Sequence, residues 1–273
     1  MPRLLLVHAH PDDESLFSAL LTLRANEQGW QITLITMTDG ALGFDPSGRE
    51  GLAASHDADE TARCRQRELE SASRSLGIDE LVHLGYRDSG MAGWQTNQVS
   101  EALAATPIDE LVALVGASID ARAIDLVVTY GPDGFYGHPD HLACNRAVEG
   151  AVASRPQVCV LAPVVVSGSL AGLAASLSAT GALLPDWLGQ DLVPGVTERE
   201  IFGTVSDVVL STQKQAALAQ HRSQRDNDLF AQLEADAFFA ILGTERYQVL
   251  HRGSDASLAL AHSLLDATSN LTR

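Results

Sequence analysis

Two short clusters of histidine and acidic residues contain the side chains best suited to bind a metal ion. They read His8-Ala9-His10-Pro11-Asp12-Asp13-Glu14 and Tyr136-Gly137-His138-Pro139-Asp140-His141. A catalytic zinc ion usually takes three ligands from the protein and keeps a fourth position open for water. Two histidines and one carboxylate meet that requirement. In each cluster, two of these side chains are three residues apart, a spacing that puts them on the same side of a helix start.

Each cluster taken alone has a simpler explanation. Acidic residues such as Asp12, Asp13 and Glu14 favour the positive end of a helix, and Asp140 could cap the start of one. The two clusters share a His-Pro-Asp pattern, however, and each follows an apolar segment. The same pattern at two equivalent places argues for a common chemical role rather than two helix caps.

The apolar segments that precede both clusters are typical of buried strands. Predicted strands cover residues 4–8, 31–37, 80–84, 124–130 and 158–166, and predicted helices cover residues 14–28, 60–76, 107–121 and 140–153. This alternation predicts an α/β fold that is Rossmann-like, with a mostly parallel sheet and helices on both faces. Ligands bind at the carboxyl ends of the strands of such a sheet. We therefore expect the two clusters to meet in one site.

The pattern changes after residue 166. A strand is predicted at residues 205–210, helices at 212–225 and 229–242, and a last strand at 247–251. We expect residues 1–166 to form a catalytic α/β core that contains both clusters. Residues 167–273 would form a smaller C-terminal α/β extension packed on that core, within one structural domain overall.

Composition argues against several kinds of partner. The 273 residues include 18 basic and 35 acidic side chains, for a net charge of −17, and no cluster of lysine or arginine. Nucleic acids and anionic membranes both favour basic surfaces, so neither is expected as a partner. No glycine-rich nucleotide-binding motif follows a predicted strand. The cysteines (Cys64, Cys144 and Cys159) show no CxxC spacing, which indicates a reducing, cytoplasmic setting. The sequence leaves a homo-oligomer open.

The segments His10-Pro11-Asp12-Asp13-Glu14 and His138-Pro139-Asp140-His141 together resemble the LmbE/PIG-L deacetylases. These are metal-dependent enzymes that act on N-acetylglucosaminyl compounds. The string Gly85-Tyr86-Arg87-Asp88-Ser89-Gly90-Met91 is similar to the mycothiol-pathway branch of that family, and the resemblance covers at least residues 1–160. It implies a zinc-dependent hydrolase, with Fe(II) as the alternative metal in the cell. Its reaction would remove an acetyl group from a small-molecule N-acetylglucosamine-type conjugate.

The resemblance also implies a set of metal ligands and a base. The ligands would be His10, Asp13 and His141, and Asp12 would be the general base. Water bound to zinc has a pKa lowered towards about 7, and a neighbouring carboxylate can accept its remaining proton. An intact base beside the metal argues against one alternative, a metal-binding module without catalysis. A second alternative, an amidase acting on a thiol conjugate or a secondary metabolite, stays open because the motifs do not identify the substrate.

Five further residues receive roles from the resemblance. His138 would be an imidazolium that stabilises the oxyanion or protonates the leaving amine. Asp140 would orient His138 and raise its pKa. Tyr136 would donate to the tetrahedral intermediate, although it could instead be a loop aromatic that covers the site. Arg67 and Asp88 would hold sugar hydroxyls, with a helix ion pair and a turn cap as their alternatives.

Two regions bear on the shape of the site. The chain has Ala41 where many relatives carry an acidic residue, which puts the substrate shape near residues 38–57 in doubt. Residues 221–224 resemble a recurrent C-terminal feature of the family, and we expect them to close over the site.

Overall fold

A seven-stranded sheet forms the centre of the computed structural model, which describes residues 1–178, 181 and 193–266. Its strands are β1 (Arg3–His8), β2 (Gln31–Thr38), β3 (Glu80–Tyr86), β4 (Leu126–Val128), β5 (Cys159–Val164), β6 (Gly203–Ser206) and β7 (Thr244–His251). Their spatial order is β3-β2-β1-β4-β5-β7-β6, and β1 to β5 run parallel. β7 is antiparallel to both β5 and β6. The mostly parallel α/β fold predicted from the sequence is therefore confirmed.

Helices cover both faces of the sheet, because alternate strand residues point to opposite sides. On β1, Leu4 and Leu6 belong to one apolar core, and Leu5 and Val7 belong to the other. The helices are α1 (Asp13–Phe17), α2 (Ala19–Glu27), α3 (Ala58–Leu76), α4 (Ile108–Arg122), α5 (Gly134–Gly137), α6 (Pro139–Val152), α7 (Ser169–Ser178), α8 (Val208–Leu218), α9 (Arg225–Ala231), α10 (Ala235–Leu242) and α11 (Asp255–Leu264). The first core includes residues of α2, α3, α8 and α11, and the second includes residues of α4 and α6. Among the described helices, none is both long enough and apolar enough to cross a bilayer.

The single helix predicted at residues 14–28 is wrong, because the chain forms two helices there. Ser18 separates α1 from α2 with a non-helical φ of −141°. The carboxylate of Glu245 on β7 accepts the backbone N–H groups of Leu20 and Leu21 at the start of α2. A helix start leaves such N–H groups without a partner in the helix itself. The break is therefore supported by a residue that lies 225 positions from Leu20.

The predicted strand at residues 205–210 is also wrong in its second half. β6 ends at Ser206, and Asp207 starts α8 by accepting the N–H groups of Val209 and Leu210. An aspartate cap stabilises a helix by about 1 kcal/mol, and here it prevails over the strand preference of the apolar run that follows. Val208 is 66% exposed, so that run does not continue a buried strand. The two helices predicted beyond residue 211 are divided differently, into α8, α9 and α10.

Candidate active site

The two clusters lie at the carboxyl ends of β1 and β4, which are hydrogen-bonded neighbours in the sheet. The first cluster forms the turn from β1 into α1, and the second leads into α6. β2 and β3 lie on one side of β1, and β4 and β5 lie on the other. The direction in which successive strands are added to the sheet therefore reverses between β1 and β4. A crevice forms at the carboxyl ends of the strands where the order reverses. The two clusters lie in this crevice.

The three expected metal ligands meet at distances that suit a single ion. His10 Nδ1 is 3.3 Å from both Asp13 Oδ2 and His141 Nε2, and the latter two atoms are 3.6 Å apart. A tetrahedral zinc ion with ligands about 2.0–2.2 Å away requires ligand atoms about 3.3–3.6 Å apart. All three side chains are nearly inaccessible to solvent. This triad of donor atoms therefore has the geometry of a three-ligand metal centre.

Hydrogen bonds outside the triad determine which nitrogen of each histidine faces inward. His141 Nδ1 lies 3.1 Å from the carbonyl oxygen of Gly134 and can donate to it, which leaves the lone pair of Nε2 for the triad. His10 Nε2 lies 3.2 Å from Asp140 Oδ2, which leaves Nδ1 for the triad. Metal-binding histidines typically donate their second N–H to a carbonyl or a carboxylate in this way. The side chains present therefore fit a metal ion in both distance and tautomer.

The charge around His10 also favours a cation. Burial opposes the charged form of the imidazole, but nearby carboxylates outweigh burial and raise the pKa of His10 well above its ordinary value. Those carboxylates belong to Asp88, Asp13 and Asp140. A site that stabilises positive charge on a buried imidazole would also stabilise a divalent cation at the triad.

Asp12 lies beside the triad in a strained backbone conformation. Its φ of 116° is in the left-handed region, which costs roughly 1–3 kcal/mol for a residue other than glycine. Its N–H donates to Glu14 Oε2 at 3.0 Å. Its Oδ2 accepts from Asn227 at 2.7 Å and pairs with Arg65 at 3.1 Å. Burial raises the pKa of the Asp12 carboxyl although Arg65 acts in the opposite direction, and a carboxylate with a raised pKa is a better proton acceptor.

Asp140 has a different partner from the one that the resemblance implied. Its carboxylate faces His10 Nε2 and accepts both the N–H and the hydroxyl of Ser89. It stands 4.0 Å from His138 Nδ1, and that nitrogen instead accepts the backbone N–H of Asp140 at the start of α6. The hydrogen-bond partners of the Asp140 carboxylate are therefore His10 and Ser89, and its expected action on His138 stays a prediction. These contacts allow the carboxylate to orient His10, one of the three expected metal ligands.

The pKa of His138 also moves against the expectation. Burial, together with the neighbouring His10 and His141, lowers the pKa of His138 to about 2 despite the charge of Asp140. His138 is therefore neutral at ordinary pH. Since Nδ1 accepts a backbone N–H, the proton of the neutral ring is on Nε2. Donor atoms of His10, His138 and His141 lie within 4.8 Å of one another, so His138 can donate a hydrogen bond next to the triad.

Tyr136 and Asp88 line the same cavity as His10 and Asp13. Tyr136 is 37% exposed, and its ring centre lies 5.9 Å from that of His138. Asp88 is buried, and its two carboxylate oxygens accept the N–H groups of Leu42 and Gly90. The turn cap that was the alternative for Asp88 is thus present, and the side chain still borders the cavity.

Arg65 of α3, which the sequence did not single out, lines the cavity. Its guanidinium is 5% exposed, donates to the carbonyl of Gly40 and pairs with Asp12. Arg67 is not among the described residues that line the cavity. Its side chain is 64% exposed and pairs with Glu60 at 3.6 Å, because residues two apart on a helix face different sides. A signal for Arg65 was its four-residue spacing from buried positions of α3, namely Thr61, Leu69 and Ser73.

Three more buried side chains complete the site. The Tyr130 hydroxyl donates to Asp13 Oδ2, and its ring stacks on His141 with centres 3.9 Å apart. Tyr130 is the last residue of the predicted strand at 124–130. Its position at the carboxyl end of that strand could have identified it as a site residue from the sequence. Ser89 belongs to the segment 85–91, which the resemblance to the mycothiol-pathway branch had already identified. Asn227, which contacts Asp12, carries no local signal, because its role depends on the packing of α9 against the first cluster.

The site opens into a cavity of about 590 Å³. Gln224 contributes to its wall and exchanges hydrogen bonds with both backbone groups of Phe44. Of the segment 221–224, which we expected to close over the site, Gln224 lies in the described cavity wall. Trp94 also lines the cavity. Both findings show that loops far from the two clusters shape what can bind.

The fold and the site together define a class of protein. It is an α/β protein with a set of donor atoms that fits a metal ion, and the carboxylate of Asp12, on strained backbone, lines the same cavity as two of those donors, His10 and Asp13. The family model described as PIG-L: GlcNAc-PI de-N-acetylase matches residues 5–152, more than half of the chain. The chain belongs to the PIG-L family, as the two clusters had indicated.

Similar proteins agree with this assignment. A relative from Streptomyces griseus, named 1D-myo-inositol 2-acetamido-2-deoxy-alpha-D-glucopyranoside deacetylase, is 35% identical over 268 residues, which cover 91% of this chain and 83% of the relative. A relative of the same name from Mycolicibacterium vanbaalenii is 36% identical over 231 residues, which cover 81% and 80% of the two chains. The solved structure of N,N'-diacetylchitobiose deacetylase from Pyrococcus horikoshii superposes with a TM-score of 0.58 at 19% identity, covering 91% of this chain and 83% of that one. At that identity the likeness supports the fold alone.

Proposed function

We propose that this chain is a metal-dependent hydrolase that removes the acetyl group from an N-acetylglucosamine-type conjugate. One observation carries the proposal: the donor atoms of His10, Asp13 and His141 are spaced for one ion, and Asp12 lines the same cavity as His10 and Asp13. A structural metal site would not require a strained carboxylate next to it. The names of the relatives, which are deacetylases of an acetamido sugar joined to inositol, support the same reaction.

The triad of His10, Asp13 and His141 would hold zinc, with Fe(II) as the alternative in the cell. A divalent ion bound there would supply Lewis-acid activation of water and of the amide carbonyl. Asp12 accepts the proton of the attacking water, because its raised pKa makes it a stronger base than an ordinary aspartate. The same proton then passes from Asp12 to the leaving nitrogen as the amide C–N bond breaks.

His138 and Tyr136 would stabilise the oxygen that gains negative charge. A neutral His138 donates through Nε2–H, which needs no change of protonation during the reaction. Tyr136 adds a phenolic O–H from the cavity wall. Preorganised donors of this kind typically contribute factors of about 10²–10³ to the rate.

The sugar would be held at the side of the triad where Asp88 lies. Asp88 Oδ1 is 3.7 Å from His10 Nε2, so a hydroxyl bound to Asp88 would place the neighbouring acetamido group near the ion. Arg65 supports this end through Asp12, and Arg67 would act only if its exposed side chain moved into the cavity. The three free cysteines suit the reducing cytoplasm in which such a substrate would be processed.

The test is the release of free amine from N-acetylglucosamine and several of its conjugates. Metal-loaded protein should be active, and protein treated with a chelator should be inactive until metal is restored. Asp12→Asn should keep its bound metal and lose about 10²–10⁴-fold in kcat. Asp109→Asn, which removes an exposed carboxylate on α4, is the matched control. If the loaded protein binds one metal tightly but releases amine from none of these compounds, the proposal fails in favour of a binding role.

A further inference from the structure

The site has two chemically different ends. At one end Asp88 approaches His10, with 3.7 Å between Oδ1 and Nε2. At the other end Phe17 approaches His141, with 6.0 Å between the ring centres. Phe135 packs against Phe17 with its ring centre 4.5 Å away. A carboxylate thus approaches the triad at His10 and an aromatic ring approaches it at His141, and we call these sides the Asp88 end and the Phe17 end.

The cavity extends past the Phe17 end along an apolar wall. That wall includes Leu16, Leu170, Ile241 and Leu242, which come from α1, α7 and α10. All four pack against a small buried cluster around Phe230 and remain partly exposed themselves. Large apolar side chains that face a cavity gain favourable free energy when an apolar ligand covers them. The wall is thus suited to an alkyl or aryl group.

The buried charges at this end already neutralise one another. Lys214 Nζ donates to Glu245 Oε1 and to the carbonyl of Leu16, each at 2.8 Å. Glu245 also accepts from the Tyr247 hydroxyl and from the start of α2. Because Lys214 and Glu245 form an ion pair with each other, neither presents an unpaired charge to the hydroxyls of a polyol. The Phe17 end therefore suits an apolar group better than a second sugar or an inositol.

The direction of the substrate follows from the two ends. In the proposed function Asp88 holds the sugar, so the amide nitrogen, which is bonded to the sugar ring, would lie on the Asp88 side of the triad. The carbonyl carbon then carries its other substituent away from the sugar, towards Phe17. That substituent is the acyl chain, and in an acetyl group it is a single methyl, which leaves most of the apolar wall uncovered.

We propose that the site prefers N-acyl groups that are apolar and longer than acetyl, seated along the wall formed by Leu16, Leu170, Ile241 and Leu242. This inference rests on the proposed amide hydrolysis. The reaction is balanced by one water: the amide C–N bond breaks, the acyl carbon gains the water oxygen as a carboxylate, and the nitrogen leaves as the amine of the sugar. No other reactant is needed.

The experiment uses methyl glycosides of glucosamine that carry N-acetyl, N-butanoyl or N-hexanoyl groups, with the metal-loaded full chain. Free amine is measured for each. The expected result is a kcat/KM about tenfold higher for hexanoyl than for acetyl, mostly through a lower KM, because added methylenes are buried. Leu242→Asn and Leu170→Asn should each reduce that ratio about fivefold or more. Val208→Asn, at a 66% exposed position of α8 outside the described cavity lining, should leave the ratio unchanged.

Contrary outcomes separate this inference from the proposed function. Hydrolysis of the acetyl compound with a steady decline towards hexanoyl overturns only the acyl preference. A gain from an octyl glycoside of N-acetylglucosamine, without a gain from the longer acyl groups, also overturns it, because the wall then holds the aglycone. Absence of amine from every compound overturns the proposed hydrolysis itself. Using two variants from different helices guards against misfolding of either one, which thermal unfolding would reveal.

Discussion

His221 Nε2 lies 2.7 Å from Glu14 Oε1, although the two residues are 207 positions apart in the chain. Both side chains are fully buried. The other oxygen of Glu14 accepts the N–H of Asp12, whose backbone is in the left-handed region. The C-terminal part of the chain therefore supports, through Glu14, the strained backbone conformation of Asp12.

This relationship predicts the behaviour of variants at His221. His221→Gln should lower kcat by about tenfold or more with little change in KM, because a misplaced base slows the chemical step without weakening substrate binding. Metal content should be unchanged. His262→Gln, which alters an exposed histidine on α11, serves as the comparison. An equal loss in both variants, or a loss confined to KM, would contradict the positioning role.

Asp140 should act on the metal rather than on His138. Asp140→Asn should weaken zinc affinity by about 10–100-fold, since the hydrogen bond that orients His10 and strengthens it as a ligand is reduced. Competition with a chelating dye would measure this. Unchanged affinity together with a shifted pH profile would instead favour the contact with His138 that the resemblance implied.

The fall in activity at low pH, the acid limb of the pH profile, should report the protonation of Asp12. Its carboxylate must be ionised to accept a proton, and burial raises its pKa, so activity should fall as pH drops through a value above the ordinary aspartate range. The pKa of His138 is lowered to about 2, so His138 stays neutral across that range. His138→Gln should therefore lower kcat but keep the position of the acid limb. Metal content must be followed at each pH, and a limb that moves in His138→Gln would contradict this assignment.

Arg65 and Arg67 on α3 test whether the structure or the family resemblance identifies the functional arginine. Arg65→Lys should reduce kcat/KM by about tenfold or more, because Arg65 is buried and contacts both Asp12 and the Gly40 carbonyl. Arg67→Lys should change it by less than about twofold, since an exposed ion pair with Glu60 contributes little. The reverse order of effects would restore Arg67 as the substrate-binding residue.

Removal of one partner from the buried pair Lys214–Glu245 should be costly. Lys214→Met leaves a buried carboxylate without its cation and should lower the free energy of unfolding by about 3–5 kcal/mol. The double variant Lys214→Met/Glu245→Gln should recover part of that loss, because no unpaired charge remains. Urea denaturation of both variants measures the difference. A double variant no more stable than the single one would show that the carboxylate itself is required at the start of α2.

Local patterns in the sequence determined the parts of this protein that depend on neighbouring residues. Apolar runs predicted the five parallel strands, and the two clusters predicted where His10, Asp13 and His141 meet, because parallel strands bring their carboxyl ends to one edge. The family also followed from those clusters. These features need only short-range spacing and one topological rule.

The tertiary structure decided everything that depends on which distant groups pack together. Glu245 stabilises the break between α1 and α2, and Asn227 reaches Asp12 from α9. Asp140 turns to His10, 130 positions away, rather than to its near neighbour His138. Burial determines these interaction partners, because a charged group removed from water must pair with the nearest suitable group in space. Sequence distance carries no information about that partner.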